Sequence, residues 1–220
     1  MKRRAVFLDR DGVINRYAHN PELGTIDSPA TPREFELLPG AGEAIAELNR
    51  MNLPMVVVSN QPGIAHGKFT PELLDGINEA MRARLAWDGA RLSAVLYCRH
   101  HPHARLPEYR IDCECRKPKP GLFLRAAREH NLDLSASFLI GGGLADVLAG
   151  CAAGVTTLLV APHRGSLHPE CATGGSEPDL FVRDLRHAVS AIRALLGIEH
   201  RLCVAPHANL PYVVPRGELN

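Results

Sequence analysis

Two aspartates stand close together near the start of the chain, in the segment Phe7-Leu8-Asp9-Arg10-Asp11-Gly12. They directly follow a short apolar run, and the glycine permits a sharp turn. Carboxylates at this spacing suit phosphoryl transfer, because one can attack phosphorus while the other protonates the leaving oxygen and later activates water. A magnesium ion would offset the crowded negative charge. Taken alone, the pair also fits two acids that end a strand and cap a loop.

Two further segments carry groups that could bind phosphate. Ser59 and Asn60 follow an apolar run and offer a hydroxyl and an amide, although such residues also form turns. Arg116 and Lys117 precede Pro118. A lysine there can neutralise the transferring phosphoryl group, and an arginine can grip a second anion with its planar fork. A solvated basic loop is the alternative interpretation of this pair.

Three cysteines and a histidine form two tight pairs, Cys98-Arg99-His100 and Cys113-Glu114-Cys115. Three thiolates and an imidazole are the ligand set of a closed tetrahedral zinc site. His101 and His103 are nearby alternatives to His100, and loose surface cysteines are the alternative to a metal site. With every position filled by protein, the predicted zinc is structural and would position the residues that follow Cys115.

Short apolar runs alternate with helical segments along the chain. The predicted strands are Ala5–Leu8, Met55–Val58, Ala94–Tyr97, Phe138–Ile140 and Thr157–Val160. The predicted helices are Ala41–Met51, Thr70–Trp87, Pro120–His130, Leu144–Ala153 and a last one with an apolar face of Leu185, Val189, Ile192 and Leu196. This order predicts a parallel sheet with ligands at the carboxyl ends of its strands, beside Asp9, Ser59, Cys98 and Gly141.

Composition narrows the class of protein. A chain of 220 residues, 45% of them apolar, allows one good-sized domain or two small ones, and a net charge of +1 gives no large field for nucleic acid or an anionic membrane. The apolar run after the basic start stops at Asp9, and no run approaches the roughly 20 residues that span a bilayer. We expect a cytoplasmic monomer with reduced cysteines and with neither nucleic acid nor membrane as partner.

The order DRDGVIN, then SNQ, then CRKPKPG resembles the haloacid dehalogenase (HAD) superfamily, in particular its heptose bisphosphate and histidinol phosphate phosphatases. The resemblance covers about residues 4–196. It implies a three-layer α/β sandwich with a mainly parallel, doubly wound sheet, which is the HAD-like Rossmannoid fold, with a minimal cap and a zinc-binding loop. Residues 1–196 would form this domain, and residues 197–220 a tail with no assigned role.

The resemblance also implies roles for the motif residues. Asp9 would be the nucleophile, Asp11 the general acid and base, and both would bind magnesium. Lys117 would stabilise the transferring group, and Arg116 would reach the remoter part of the substrate. The predicted substrate-binding set is Ser59, Asn60, Gln61 and Arg116. The family pattern of Cys-x-His and Cys-x-Cys favours His100 as the zinc ligand over its neighbours.

The loop between the two Cys/His pairs bears on the substrate. Residues 101–112 separate His100 from Cys113, a longer loop than in the histidinol phosphate enzymes. The resemblance is therefore closer to the heptose bisphosphate phosphatases and implies a sugar bisphosphate, hydrolysed through an aspartyl-phosphate intermediate. Histidinol phosphate or another small phosphate ester is the alternative substrate.

One segment departs from the family pattern. The family has a magnesium-binding aspartate after the next strand, whereas this chain reads Ile140-Gly141-Gly142-Gly143-Leu144-Ala145-Asp146. Gly142 occupies the ligand position, and Gly143 replaces a lysine common in the heptose enzymes. Asp146 could reach magnesium through water or favour the N-terminus of a helix. The departure supports a second hypothesis, a degenerate domain that binds a phosphorylated ligand with weak or no catalysis, while the intact aspartate pair argues against it.

Overall fold

The computed structural model describes residues 2–20, 25–161 and 177–198. The strands are β1 (Val6–Leu8), β2 (Ala18–Asn20), β3 (Thr25–Asp27), β4 (Met55–Asn60), β5 (Ala94–Cys98), β6 (Phe138–Gly141), β7 (Thr156–Val160) and β8 (Leu180–Val182). The helices are α1 (Ala41–Arg50), α2 (Pro71–Trp87), α3 (Gly121–His130), α4 (Leu144–Ala153) and α5 (Leu185–Leu195). Two short 3-10 helices span Pro107–Tyr109 and Leu134–Ala136.

Six strands form one parallel sheet in the order β5-β4-β1-β6-β7-β8. The chain builds one side of the sheet outward from β1 through β4 and β5, and then builds the other side through β6, β7 and β8. The carboxyl end of β1 therefore lies at the switch point where an open α/β sheet binds ligands. The aspartate pair follows β1 directly.

Helices cover both faces of the sheet, as the unbroken apolar runs of the central strands require. Val6 and Leu8 pack with α1, α2 and α5 in one core, while Phe7 packs with α3 and α4 in the other. This alternation along β1 produces three layers. The predicted doubly wound α/β fold is confirmed.

The predicted elements agree with the structure to within about two residues. The main difference in length is at β4, which extends through Ser59 and Asn60 to pair with β5, so these residues end a strand instead of following it. Cys98 and Gly141 are likewise the last residues of their strands. Strand β8 was not predicted, because three residues are too few to establish a period.

A small antiparallel hairpin, β2 with β3, lies between β1 and α1 and forms the minimal cap. Strand β3 of this hairpin ends at Asp27, which forms an exposed ion pair with Lys68 in the loop after β4. No helix in the described parts of the chain is long and apolar enough to cross a membrane. The predicted tail lies outside the described residues beyond Ile198.

Candidate active site

Asp9 is fixed at the carboxyl edge of the sheet by the backbone. Its N–H donates to the Ile140 carbonyl at 3.0 Å, so the pairing of β1 with β6 continues one residue past the strand. The chain then turns sharply, because the N–H groups of Ile14 and Asn15 both donate to the Arg10 carbonyl, at 2.8 and 3.1 Å. Gly12 takes a φ of 78° in this turn, a conformation that favours glycine.

A cavity of about 240 Å³ lies at this edge, and we call it the aspartate cavity. Its wall contains Asp9, Asp11, Tyr17, Ser28, Ser59, Asn60, Pro62, Lys117, Ala145 and Asp146. Most of the predicted site residues therefore meet in one place, although they come from widely separated segments of the chain. Arg116 and Gln61 are not among the residues of the wall.

Lys117 is buried and binds both carboxylates beside it. Its Nζ lies 2.9 Å from Asp9 Oδ1, forms an ion pair with Asp146 and donates to the Val58 carbonyl at 2.9 Å. Burial lowers the pKa of Lys117, but the carboxylates of Asp146 and Asp9 together raise it above its usual value. Lys117 is therefore a fixed positive charge at the floor of the cavity.

The side chain of Asn60 holds the backbone of Lys117 in place. The Asn60 side-chain amide donates to the Lys117 carbonyl at 2.9 Å, and its oxygen accepts from the Lys117 N–H at 3.0 Å. Asn60 was predicted to bind phosphate, but both of its polar atoms are already used on the loop that carries the lysine. Ser59 has its hydroxyl near Asp9 and is almost fully buried.

The surroundings of the Asp9 carboxyl group raise its pKa. Burial raises the pKa of Asp9, the negative charge of Asp146 raises it further, and Lys117 and Ser59 partly offset these effects. Asp9 Oδ1 is buried and, apart from its ion pair with Lys117, has no hydrogen bond of standard geometry. Asp9 also lies in the wall of the cavity, and a carboxylate there is suited to a cation or to an electrophile.

Asp11 is held far more tightly than Asp9. Its carboxylate accepts five hydrogen bonds from four residues, which we call the Asp11 clamp. Arg10 donates through Nε to Oδ1 and through Nη2 to Oδ2, both at 3.1 Å. Asn15 donates to Oδ1 at 2.9 Å, and Gln61 and Ser28 donate to Oδ2 at 2.8 Å.

Gln61 therefore differs from its predicted role as a substrate contact. It is fully buried, and its amide donates to Asp11 and to Ser59 Oγ while its oxygen accepts from Arg10. The cause lies in the backbone, because the Gln61 N–H still donates to the Cys98 carbonyl at 2.8 Å just beyond β4. That bond keeps Gln61 beneath the cavity instead of in its wall.

Asp146 caps α4 and pairs with Lys117. Its Oδ2 accepts from the N–H groups of Gly142 and Gly143, both at 3.0 Å, and its Oδ1 accepts from Lys117. The capping interpretation of Asp146 thus agrees with the geometry. Both oxygens are engaged, so a direct bond from Asp146 to a metal would require it to give up one of these partners.

Gly142 leaves space where the family pattern has a carboxylate. A Cβ built on Gly142 would lie 3.5 Å from both the Asp11 carbonyl oxygen and Val13 Cγ2, which is ordinary van der Waals contact. The backbone at Gly142 is outside the left-handed region. The structure therefore has room for a side chain here, directed toward the Asp11 carbonyl.

Sequence reasoning missed four residues of this site. Arg10 and Asn15 lie inside the aspartate motif, so their proximity to the site could have been expected, but not their contacts with Asp11. Ser28 and Tyr17 belong to no motif. Tyr17 is half-exposed with its ring against Gly12, and burial together with the carboxylates of the site raises the pKa of Tyr17 to about 12.

The predicted zinc ligands converge beside the aspartate cavity. The ligand atoms of Cys98, His100, Cys113 and Cys115 all lie within 4.8 Å of one another, and we call this group the Cys/His cluster. Its neighbouring ligand atoms are 3.1 to 3.5 Å apart. Tetrahedral zinc with Zn–S bonds of about 2.3 Å would place its sulfurs roughly 3.7 Å apart. The separations therefore suit a zinc ion.

Neighbouring histidines do not join the cluster. The ring of His101 lies 4.8 Å from that of His66 and 6.0 Å from that of His103. Within the cluster, the hydrogen bond with Cys115 lowers the pKa of the Cys98 thiol, whereas that bond and burial raise the pKa of Cys115. A bound metal would hold these cysteines as thiolates and displace their protons.

Backbone and side-chain contacts connect the Cys/His cluster to the lysine loop. The Gly121 N–H at the start of α3 donates to the Glu114 carbonyl at 3.0 Å, and a side chain on Gly121 would collide with that carbonyl. Arg116, predicted to contact the substrate, donates through Nη1 to the His100 carbonyl at 3.3 Å. The cluster thereby fixes the segment that delivers Lys117.

Asp-x-Asp follows the first strand of the parallel sheet, a serine lies on the neighbouring strand, and a lysine precedes a later helix. This combination defines a HAD-type hydrolase. A HAD-hydrolase-like family model matches residues 114–188. The D-glycero-beta-D-manno-heptose-1,7-bisphosphate 7-phosphatase of Escherichia coli O6:H1 is 40% identical over 84% of this chain and 93% of its own. The enzyme of that name from Vibrio cholerae is 39% identical over 73% and 82%.

A solved structure agrees with these relatives. The D,D-heptose 1,7-bisphosphate phosphatase of B. bronchiseptica, complexed with magnesium and phosphate, superposes with a TM-score of 0.70 at 30% identity, covering 87% of this chain and 99% of that one. The chain therefore belongs to the heptose bisphosphate phosphatase family of the HAD superfamily.

Proposed function

We propose that the protein is a magnesium-dependent phosphatase that removes the 7-phosphate of D-glycero-D-manno-heptose 1,7-bisphosphate. The observation that carries this proposal is the Asp9 carboxylate, which faces the cavity beside Lys117 with Asp11 two residues away. The names of the relatives support the choice of substrate. A histidinol phosphate or another small phosphate ester is the alternative substrate for the same chemistry.

The residues of the aspartate cavity support a two-step reaction. Asp9 attacks phosphorus and forms an aspartyl phosphate, while Asp11 gives a proton to the departing sugar oxygen. To carry that proton, Asp11 must release one of the hydrogen bonds that its oxygens accept. Asp11 then takes a proton from water as the water oxygen attacks the aspartyl phosphate, which releases inorganic phosphate and restores both carboxyl groups. Lys117 and the Ser59 hydroxyl would offset negative charge on the transferring phosphoryl group.

The oxygen donors of the cavity fit magnesium, with fewer charged ligands than the family pattern provides. The Asp9 carboxylate, which lies in the wall of the cavity, and the Asp11 carbonyl would hold the ion together with phosphate and water. Asp146 would contribute through water, since both its oxygens are engaged. Bound magnesium supplies a positive charge that stabilises the phosphoryl transition state.

The Cys/His cluster would hold a structural zinc ion, because its four protein ligands leave no position for water. We further propose that the protein acts as a monomer in the cytoplasm on a small phosphorylated sugar, with neither nucleic acid nor membrane as partner. The net charge of +1 and the free thiols of the described cysteines support this setting.

The test is a panel of phosphate esters with and without magnesium. We expect turnover to be highest with heptose 1,7-bisphosphate, lower with histidinol phosphate, and to be lost on chelation. Phosphate release from position 1 instead of position 7 would contradict the proposed regiochemistry. A higher rate with histidinol phosphate would favour the alternative substrate.

A second candidate function is supported by Gly142 alone. Without the carboxylate expected there, the domain could bind a phosphorylated ligand and turn it over weakly or not at all. The test is calorimetry with heptose bisphosphate at saturating magnesium. Binding without release of phosphate would favour this degenerate binding domain over the phosphatase.

A further inference from the structure

Arg10 is the least expected member of the Asp11 clamp, because it is a fully buried cation that lies between the two aspartates in sequence. We propose that Arg10 is a positioning residue, supported by Gln61, that orients the carboxyl group of Asp11. Once protonated, this group gives its proton to the leaving oxygen. This inference rests on the proposed phosphatase function and adds a residue to its machinery.

The first argument is the geometry of the contact. Nε of the Arg10 guanidinium donates to Asp11 Oδ1 and Nη2 donates to Oδ2, each at 3.1 Å, and Nη2 also lies 3.0 Å from Oδ1. A planar fork that meets both oxygens fixes the rotation of the carboxylate as well as its position. A single point charge such as a lysine ammonium would attract Asp11 but leave that rotation free.

The second argument is that Arg10 is itself held. Its Nη2 also donates to Gln61 Oε1 at 2.9 Å, and the Gln61 amide donates to Asp11 Oδ2 at 2.8 Å, which closes a triangle of three side chains. The guanidinium carbon lies 5.8 Å from the centre of the Tyr97 ring. With no exposed surface, Arg10 has little freedom to take another rotamer.

The third argument separates positioning from substrate binding. Neither Arg10 nor Gln61 lies in the wall of the aspartate cavity, whereas Asp11 does. The other aspartate has its own cation, Lys117, at 2.9 Å. Arg10 is therefore not needed to neutralise Asp9 or to contact phosphate. Its side chain contacts Asp11, Gln61 and Tyr97, and its Nη1 is buried without a hydrogen-bond partner among the described residues.

A positioning role predicts a dependence on the leaving group. A sugar oxygen is a poor leaving group and needs the proton of Asp11, whereas nitrophenolate departs without one. Misorienting Asp11 should thus slow cleavage of a sugar phosphate far more than cleavage of p-nitrophenyl phosphate. Because kcat/KM reports the steps up to release of the leaving group, it isolates this effect from the later attack of water.

The experiment compares kcat/KM of wild-type, Arg10→Lys and Gln61→Met on heptose 1,7-bisphosphate and p-nitrophenyl phosphate. For Arg10→Lys we expect a loss of roughly 100-fold on the sugar phosphate and less than about 5-fold on the aryl phosphate, within the range of general acid catalysis. KM for the sugar phosphate should change little. Arg16→Lys is the matched control, since Arg16 pairs with Glu36 on the surface.

Gln61→Met keeps the charge of Arg10 and removes its support, together with the direct hydrogen bonds from Gln61 to Asp11 and Ser59. It tests the orientation of Asp11 by this group of side chains if Arg10→Lys does not fold. We expect the same selectivity with a smaller loss. Equal losses on both esters, in whichever variant folds, would overturn the positioning role and leave the phosphatase intact. If the wild-type protein hydrolyses neither ester, the proposed function fails, and this inference fails with it.

Discussion

The aspartate cavity and the Cys/His cluster lie side by side but are built in opposite ways. The cluster takes its ligands from two short pairs, residues 98–100 and 113–115, so its composition can be seen in the sequence. The cavity collects side chains from the ends of two strands, the hairpin, the lysine loop and the start of α4. Local spacing predicts a closed metal site, whereas a catalytic cavity depends on contacts between distant residues.

The two regions also differ in how charge is balanced. In the cavity, each aspartate of the pair has its own buried cation: Lys117 contacts Asp9, and Arg10 contacts Asp11. In the cluster, no cation of the protein is among the four grouped ligands, and a metal ion would supply the positive charge. We therefore expect substitutions in the cavity to change catalysis first, and substitutions in the cluster to change metal content and stability first.

The largest expected effect is that of Asp9→Asn. A neutral amide cannot form the aspartyl phosphate, so turnover of heptose bisphosphate should fall by at least about 10⁴-fold. Phosphate release under saturating substrate is the measurement, with a thermal melt to check folding. Asp75→Asn, which makes the same change on the exposed surface of α2, should retain activity. Wild-type turnover in Asp9→Asn would place the nucleophile elsewhere.

A second large effect is expected for Lys117→Met. This change leaves Asp9 and Asp146 buried without their shared cation, which should cost about 3–5 kcal/mol of unfolding free energy. Urea denaturation without magnesium is the measurement. Lys119→Met is the control and should have little effect, because Lys119 is exposed and pairs with Asp112 and Glu114 on the surface.

Magnesium adds a second comparison to that experiment. The ion should restore part of the stability of Lys117→Met, since it would supply positive charge to Asp9. If the unfolding curves of wild-type protein and Lys117→Met coincide, then burial of the two carboxylates does not require the positive charge of the lysine. Turnover should remain low even with magnesium, because the amine is lost from the floor of the cavity.

How far the cavity could be predicted depended on sequence distance. Asp9 and Ser59 could be placed because each follows an apolar run, and the carboxyl ends of parallel strands meet at one edge. The contacts of the Asp11 clamp could not be predicted. Arg10 and Asn15 lie beside Asp11 in the motif, but Ser28 and Gln61 reach it from 17 and 50 positions away. Gln61 shows the limit: it was predicted to bind substrate, and its contacts with Arg10, Asp11 and Ser59 could not be seen in the sequence.

The fold and the cluster were more accessible to sequence reasoning. Helix α2 begins at the predicted Thr70 cap and Pro71, β4 is an unbroken apolar run, and the Cys/His cluster is specified by local pairs. The short strand β8 and the β2–β3 hairpin carry too few residues for a period, so only the three-dimensional contacts define them. Ser28 reaches Asp11 through that hairpin, which explains why it was missed.

A moderate effect is expected in the cluster. Cys113→Ser should reduce bound zinc well below one ion per chain and lower the melting temperature, because one ligand of a closed site is lost. Elemental analysis of protein purified without added metal is the measurement. Cys151→Ser, on the exposed face of α4, is the matched control and should keep its zinc. Folded wild-type protein without zinc would contradict the metal assignment.

The smallest expected effect belongs to Gly142→Asp, which tests the departure from the family pattern. A carboxylate here would project toward the Asp11 carbonyl, where magnesium is proposed to bind. We expect the magnesium concentration for half-maximal activity to fall by roughly ten-fold, equivalent to about 1.4 kcal/mol of binding. Backbone strain should not mask this gain, because Gly142 is outside the left-handed region and its Cβ would make only ordinary contacts.

Gly143→Asp is the control that separates ligation from a general gain in negative charge. A Cβ on Gly143 would meet nothing within 4 Å, so its carboxylate would face open space one residue along the chain. Both glycines give their N–H groups to Asp146, so both variants disturb the cap of α4 to a similar degree. Magnesium titrations of the two variants, with thermal melts, should show the decrease only for Gly142→Asp. If a stably folded Gly142→Asp protein keeps the wild-type dependence, then Asp146 or another group already supplies the missing charge.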